Sequence, residues 1–232
     1  MSATTRFADP HLGQPVLVAG APLDDARAAI VLVHGRGGSA EDMLGLAEAL
    51  GDVGDDVARV APQAAQQTWY PQRFMQPLAE NEPWLSSALA TLDRVTAHVA
   101  SVGIPPERTV LVGFSQGACL ALEWSARHAR RRGGVAALSG GLIGPDGTPR
   151  DYAGSLDGTP VFLGCSDRDP HIPERRVRES AEVMQRLGAD VDVRIYPGMP
   201  HTVNQEEIDV VLGKGCVPRV RTRRIDERPM ED

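Results

Sequence analysis

Gly113-Phe114-Ser115-Gln116-Gly117 places a serine between two glycines, after the β-branched run RTVLV and before the helix-forming QGACLALEWSARHA. Gly-x-Ser-x-Gly at that junction is the spacing of a nucleophile held on a sharp strand-to-helix turn, where the residues two positions either side pack too closely for side chains. The turn aims the hydroxyl at the first amides of the helix, whose free N–H groups and dipole favour a developing negative charge. In a chain with 24 glycines the bare pattern would recur by chance, so its weight comes from the strand before it and the helix after it. A serine hydroxyl is a weak nucleophile, and acyl transfer through it needs a base within hydrogen-bond reach and a carboxylate to orient that base.

In the α/β-hydrolase arrangement these partners follow in the order Ser, Asp, His. Downstream of Ser115 lie His128, His171 and His201. His128 falls in the basic stretch ARHARRR, as a solvated residue. His201, in YPGMPHTVNQEEI, follows the last strand, at the kind of strand-end loop that carries function in open α/β sheets. It is the expected base. GCSDRDPHIP, residues 164–173, holds Cys165, Asp167, Asp169 and His171. This segment leaves almost no chain between an acid and His171 for a separate base loop, so the acid is expected here and the base at His201. Asp167, Asp169 and His171 could also ligate an ion, but they match no recognisable metal motif. No cysteine occupies the serine's turn, and Cys119 and Cys165 read as small core residues. The first long strand ends in VHGRGG, residues 33–38. Glycines there let a backbone amide approach a ligand closely, making the N–H groups of Arg36 and Gln116 the expected oxyanion donors. The Arg36 guanidinium is expected to face solvent or an acid, and His34 to be structural.

The elements that must position these groups alternate in type. Short apolar runs at 28–35, 56–63, 108–115, 135–141, 159–166 and 192–198 read as strands, and helix-period segments at 39–52, 83–103, 116–129 and 173–188 lie between them. Ser39 with Asp42 three positions on marks a helix start. Alternation of this kind predicts an α/β fold with a mainly parallel sheet and helices on both faces. Only about twenty Gly- and Pro-rich residues separate the strands near Ser139 and Pro160, too few for a helical lid domain, so the site should be open.

The chain has 232 residues and a formal net charge of −7, which gives no reason to expect nucleic acid or an anionic membrane as partner. MSATTRFADPHLGQ lacks the apolar core of a signal peptide, and three widely spaced cysteines make a disulfide framework unexpected. A cytoplasmic catalytic domain over residues 1–215 and an atypical, flexible tail over 216–232 are expected. Nothing in the sequence separates a monomer from a homodimer.

HGRGG, GFSQGA, SDRDPHIP and GMPHTVNQEEI occur in this order, and with them the chain resembles the phospholipase/carboxylesterase family of serine α/β-hydrolases over roughly residues 28–212. The family pattern of an acid, Pro, two residues and Pro falls on Asp169-Pro170-His171-Ile172-Pro173, so the resemblance implies Asp169 as the triad acid. It also implies Ser115 as nucleophile, His201 as base and the Arg36 and Gln116 amides as oxyanion hole. The resemblance further implies a cofactor- and metal-free carboxylesterase acting on small short- to medium-chain acyl esters, with lysophospholipase or acyl-protein thioesterase activity as the alternative. A ligand-binding hydrolase fold without catalysis is the rival of another class. Cys165-Ser166 stands where many relatives have His-Gly. TWYPQRFMQPLAENEPWL resembles the bacterial carboxylesterase branch, and Trp69, Tyr70, Phe74, Trp84 and Met199 are its expected pocket or rim residues.

Overall fold

The computed structural model describes residues 9–49 and 54–213. The expected tail at 216–232, and with it the domain boundary at 215, lies outside the described residues.

The described chain folds as β1 (Val16–Gly20), β2 (Ala28–Val33), α1 (Ala40–Ala49), β3 (Val57–Pro62), α2 (Trp84–Ser101), β4 (Thr109–Phe114), α3 (Gln116–Arg127), β5 (Gly134–Leu138), β6 (Pro160–Ser166), α4 (Glu174–Arg186), β7 (Asp190–Tyr196) and α5 (Gln205–Gly213). The seven strands form one sheet in the order β1-β3-β2-β4-β5-β6-β7. Every pairing is parallel except that of β1 with β3. The inner parallel strands β2, β4, β5 and β6 are apolar on both faces because both faces are covered, whereas the edge strand β7 carries Asp190, Asp192 and Arg194 and is only partly buried. Val31, Val33, Leu111, Val135 and Leu163 pack towards α2, α3 and α4, while Ile30, Leu32, Val110, Val112 and Phe162 pack towards α1 and α5. This is the fold class read from the alternating runs.

β1 is absent from that reading. It is a short antiparallel edge strand paired with β3, in which Leu17 packs on the core while Val16 and Val18, 44% and 46% exposed, turn apolar side chains outward.

Strand order reverses at β2, which lies between β3 and β4 with Val33 opposite Gly113. The loop after β2 and the turn after β4 therefore open side by side at the carboxyl end of the sheet, where open α/β sheets form their binding crevice. The connection after β5 carries no helix among the described residues, in line with the lid-free expectation. Arg176 of α4 anchors it, fully buried, donating to the carbonyls of Leu142 (2.9 Å) and Gly144 (2.6 Å) and to Asp146 (2.7 Å). Gly144 in turn donates its N–H to the Phe74 carbonyl at 2.7 Å.

Candidate active site

Ser115 sits at φ 53° and ψ −115°, a conformation that side-chain-bearing residues rarely adopt. Its glycine neighbours explain how the turn is tolerated. A methyl group on Gly113 would lie 2.4 Å from the Gly117 carbonyl oxygen, and one on Gly117 would lie 2.1 Å from the Val33 carbonyl oxygen. The start of α3 thus rests directly on the end of β2, and only hydrogen fits between them. Cys119 donates its N–H to the Ser115 carbonyl at 3.0 Å, so the helix begins at the serine itself.

His201 reaches the serine from the loop after β7. The Ser115 hydroxyl donates to Nε2 at 2.8 Å, and Nδ1–H donates to Asp169 Oδ2 at 2.6 Å. The Asp169 side chain is fully buried and that of His201 is 18% exposed. Burial works against the Asp169 charge, but His201 and the amides of His171 (2.8 Å) and Ile172 (3.0 Å) outweigh it and hold the carboxyl below its ordinary range. Phe114 and His171 flank the His201 ring, with centroids at 5.1 and 4.9 Å.

The loops that carry Asp169 and His201 are tied to one another. Asp167 Oδ1 accepts the Gly198 N–H at 2.7 Å. Asn204 and Glu207 exchange side-chain and backbone bonds of 2.9 Å each, a capping box that starts α5 just past the base. Ser39 and Asp42 make the corresponding box expected for α1. Glu207 carries a further consequence. It is fully buried, its Oε1 has no hydrogen-bond partner among the described residues, and burial pushes its carboxyl up to about 7. Its carboxyl lies where a side chain on Gly164 would stand, 2.1 Å from that glycine's missing Cβ. In the sequence Glu207 reads only as one of two acids in QEEI, so its burial could not be seen there.

Arg36 and Gln116 both line the cavity, and neither backbone amide has a protein acceptor among the described residues. Their side chains share a second task. Gln116 accepts the Trp69 N–H at 2.9 Å and donates to the Tyr70 carbonyl at 2.8 Å. Arg36 donates to the carbonyls of Tyr70, Pro71 and Gln72 at 2.7–2.9 Å. Arg36 is exposed, as expected, and three backbone carbonyls rather than an acid hold its guanidinium.

A cavity of about 460 Å³ opens over Ser115, walled by Tyr70, Pro71, Phe74, Phe114, Ile172 and neighbours. Of the five expected pocket residues, Tyr70 and Phe74 line it, while Trp69, Trp84 and Met199 do not. Trp69 turns inward: its indole N–H donates to the His34 carbonyl at 2.8 Å, and its ring packs against those of His34 and His11. Trp84 meets the other side of His11, at 5.4 Å. Met199 stays in the base loop, where Asn204 Nδ2 approaches its sulfur at 3.0 Å. His11 was not singled out in the sequence, yet it is buried and bonds the Trp69 carbonyl and the Ala65 N–H.

His34 is the structural residue expected, donating to the Gly35 carbonyl and accepting from Ala64, with its basicity lowered by burial. His128 is exposed but packs on Trp124 and approaches Asp93. Burial pushes the Cys119 and Cys165 thiols up to about 12, so both stay protonated at neutral pH. Asp167 and Asp169 point at different partners, and no group of three or more His, Cys, Asp or Glu among the described residues is arranged to hold a metal.

Fold and turn together define an α/β-hydrolase. A profile of the phospholipase/carboxylesterase family matches residues 16–213, and the chain belongs to that family of hydrolases. A phospholipase/carboxylesterase structure from Dyadobacter fermentans superposes with a TM-score of 0.83 at 42% identity, covering 86% of this chain and 95% of that one. The structure of esterase PE8 superposes at a TM-score of 0.69 and 27% identity, covering 86% and 95%. Acyl-protein thioesterase 1 of Gibberella zeae is 39% identical over 112 residues, 47% of each chain, so the chain spans about half the length of this relative. The protein of the same name from Cryptococcus neoformans is 27% identical over 216 residues, 81% of this chain and 91% of its own.

Proposed function

We propose that the protein is a serine carboxylesterase acting on short- to medium-chain acyl esters through an acyl-enzyme. Ser115 Oγ attacks the ester carbonyl as its proton passes to His201 Nε2. Asp169 holds the imidazole and stabilises its charged form. The oxyanion is received by the N–H groups of Arg36 and Gln116. Collapse of the tetrahedral adduct breaks the ester C–O bond, and the departing alkoxide takes the proton from His201. Water, deprotonated by His201, then attacks the acyl-enzyme and frees the acid and Ser115. The single observation that carries the reading is the unbroken hydrogen-bond chain from Ser115 through His201 to Asp169 at the floor of an open cavity.

A second reading, acyl-protein thioesterase, draws on the printed names of the fungal relatives. Kinetics with p-nitrophenyl esters from acetate to palmitate and with a palmitoyl thioester, on wild type and Ser115→Ala, separate the two. Turnover that peaks at butyrate or hexanoate and vanishes in Ser115→Ala is expected. A rate rising to palmitate and higher on the thioester would favour the second reading, and full activity in Ser115→Ala would defeat both.

A further inference from the structure

The charge on the cavity wall is one-sided, in a chain whose formal net charge is −7. Besides His201, the lining includes Arg36, Arg73 and His171, and it includes no aspartate or glutamate. Asp169 stands behind His201 with its side chain fully buried, already committed to that imidazole and to two amides. Among the described residues Arg36 is held by backbone carbonyls alone, which fix its position, and no carboxylate there neutralises it. Arg73 follows on the same wall between Gln72 and Phe74, and among the described residues its guanidinium has no ion pair or hydrogen-bond partner. Several exposed arginines are paired with carboxylates, Arg27 with Asp56, Arg94 with Asp9, Arg175 with Asp146 and Arg178 with Glu174, and of those that have no such partner among the described residues, Arg130, Arg168 and Arg186 lie away from the cavity while Arg73 lines it. A fixed cation and an unpaired one beside a cleft with apolar walls concentrate field in the cleft and favour an anionic ligand.

From this wall we infer that the preferred substrates are esters bearing a second, anionic group, such as a half-ester of a dicarboxylic acid or an ester of a hydroxy acid. Arg73 is the specificity-determining residue, recruiting the distal carboxylate while the apolar wall of Tyr70, Pro71, Phe74 and Ile172 receives the carbon chain. The inference rests on the esterase reading of Ser115 and names the substrate class for that same site.

The test compares kcat/KM at low salt for two matched pairs. Mono-p-nitrophenyl adipate against p-nitrophenyl hexanoate places the charge on the acyl side; 4-(hexanoyloxy)benzoate against phenyl hexanoate places it on the leaving group. Each rate is corrected for spontaneous hydrolysis and for the intrinsic reactivity of the ester, measured with hydroxide. Wild type is expected to prefer the charged member of one pair by about fivefold to tenfold, the size of one partly solvated charge contact, and the pair that responds identifies the side. The preference should shrink at 0.5 M salt and fall at least threefold in Arg73→Gln, while Arg73→Lys retains part of it. Equal rates within both pairs, with hydrolysis of the neutral esters still dependent on Ser115, would overturn the inference and leave the esterase reading standing. A preference that Arg73→Gln leaves intact would also overturn it. No Ser115-dependent hydrolysis of any of the four esters would overturn both.

Discussion

The proposed nucleophile Ser115 and its proposed partners His201 and Asp169 form one hydrogen-bond chain, yet they are held by different means. From Gly113 to Gly117 the backbone of one element rests on the backbone of another, and the space between them is smaller than a methyl group. The loops that carry Asp169 and His201 instead meet mainly through side chains, Asp167 on Gly198 and Asp169 on His201, with a side-chain capping box of Asn204 and Glu207 starting the helix beyond. Backbone contact cannot be re-made by a rotamer change, whereas a side-chain bond can be lost singly. The first region should therefore fail abruptly on substitution and the second by degrees.

The sharpest break is Gly117→Ala, which sets a methyl 2.1 Å from the Val33 oxygen and 2.5 Å from the His34 oxygen. Relieving that overlap means moving β2 or α3, and a melting temperature lower by about 10 °C or more, with little soluble activity, is expected in thermal denaturation. Gly164→Ala is the control from the other region. Its clash, also 2.1 Å, is with the end of the Glu207 side chain, and the loss in melting temperature should be clearly smaller.

Next in size is Asp169→Asn, which keeps the shape but loses the charge that fixes the His201 tautomer. A fall of about 10⁴ in kcat with a near-native melting temperature is expected from steady-state kinetics. Asp167→Ala removes only the bond to Gly198, and kcat should drop roughly threefold to tenfold because Asp169 still orients the ring.

A separate effect, read in the pH dependence of stability and leaving the proposed chemistry untouched, concerns Glu207. Its folded carboxyl titrates at about 7 against an ordinary 4.5, so between pH 4.5 and 7 the folded state binds more protons than the unfolded one. Stability contributed by this group is fully present below pH 4.5 and is lost as pH rises through 7, by at most about 3 kcal/mol. Glu207→Gln cannot ionise, so its melting temperature relative to wild type should rise steadily from pH 4.5 to 8. A difference independent of pH would contradict the buried-carboxyl assignment.

The two regions also differed in how far they could be read from the sequence. Most of the parallel strands were legible because burial on both faces leaves nearly continuous apolar runs, and β7 because its β-branched and aromatic residues end in Pro-Gly, while β1 was not, since its valines face outward at the sheet edge. The serine turn was legible because steric demand there writes glycine into fixed positions. His201 and the acid segment followed from chain order, with Asp169 chosen over Asp167 by resemblance. The pocket wall was half legible. Residue type marks TWYPQRF as aromatic, but only the indole bond to His34 decides that Trp69 turns inward while Tyr70 and Phe74 line the cavity. His171 read as a loop residue, and its contact with the His201 ring depends on how two distant loops meet. Glu207 and His11 were missed for the same reason: a polar side chain's burial is set by what covers it, and the covering residues lie elsewhere in the chain.

The central claim is that Ser115 is the nucleophile, and its most direct test is covalent. After reaction with a fluorophosphonate, intact-protein and peptide mass spectrometry should find one adduct, on the peptide holding Ser115. Labelling should be absent in Ser115→Ala and slowed by orders of magnitude in His201→Ala. An adduct on another residue, or undiminished labelling of Ser115→Ala, would contradict the account.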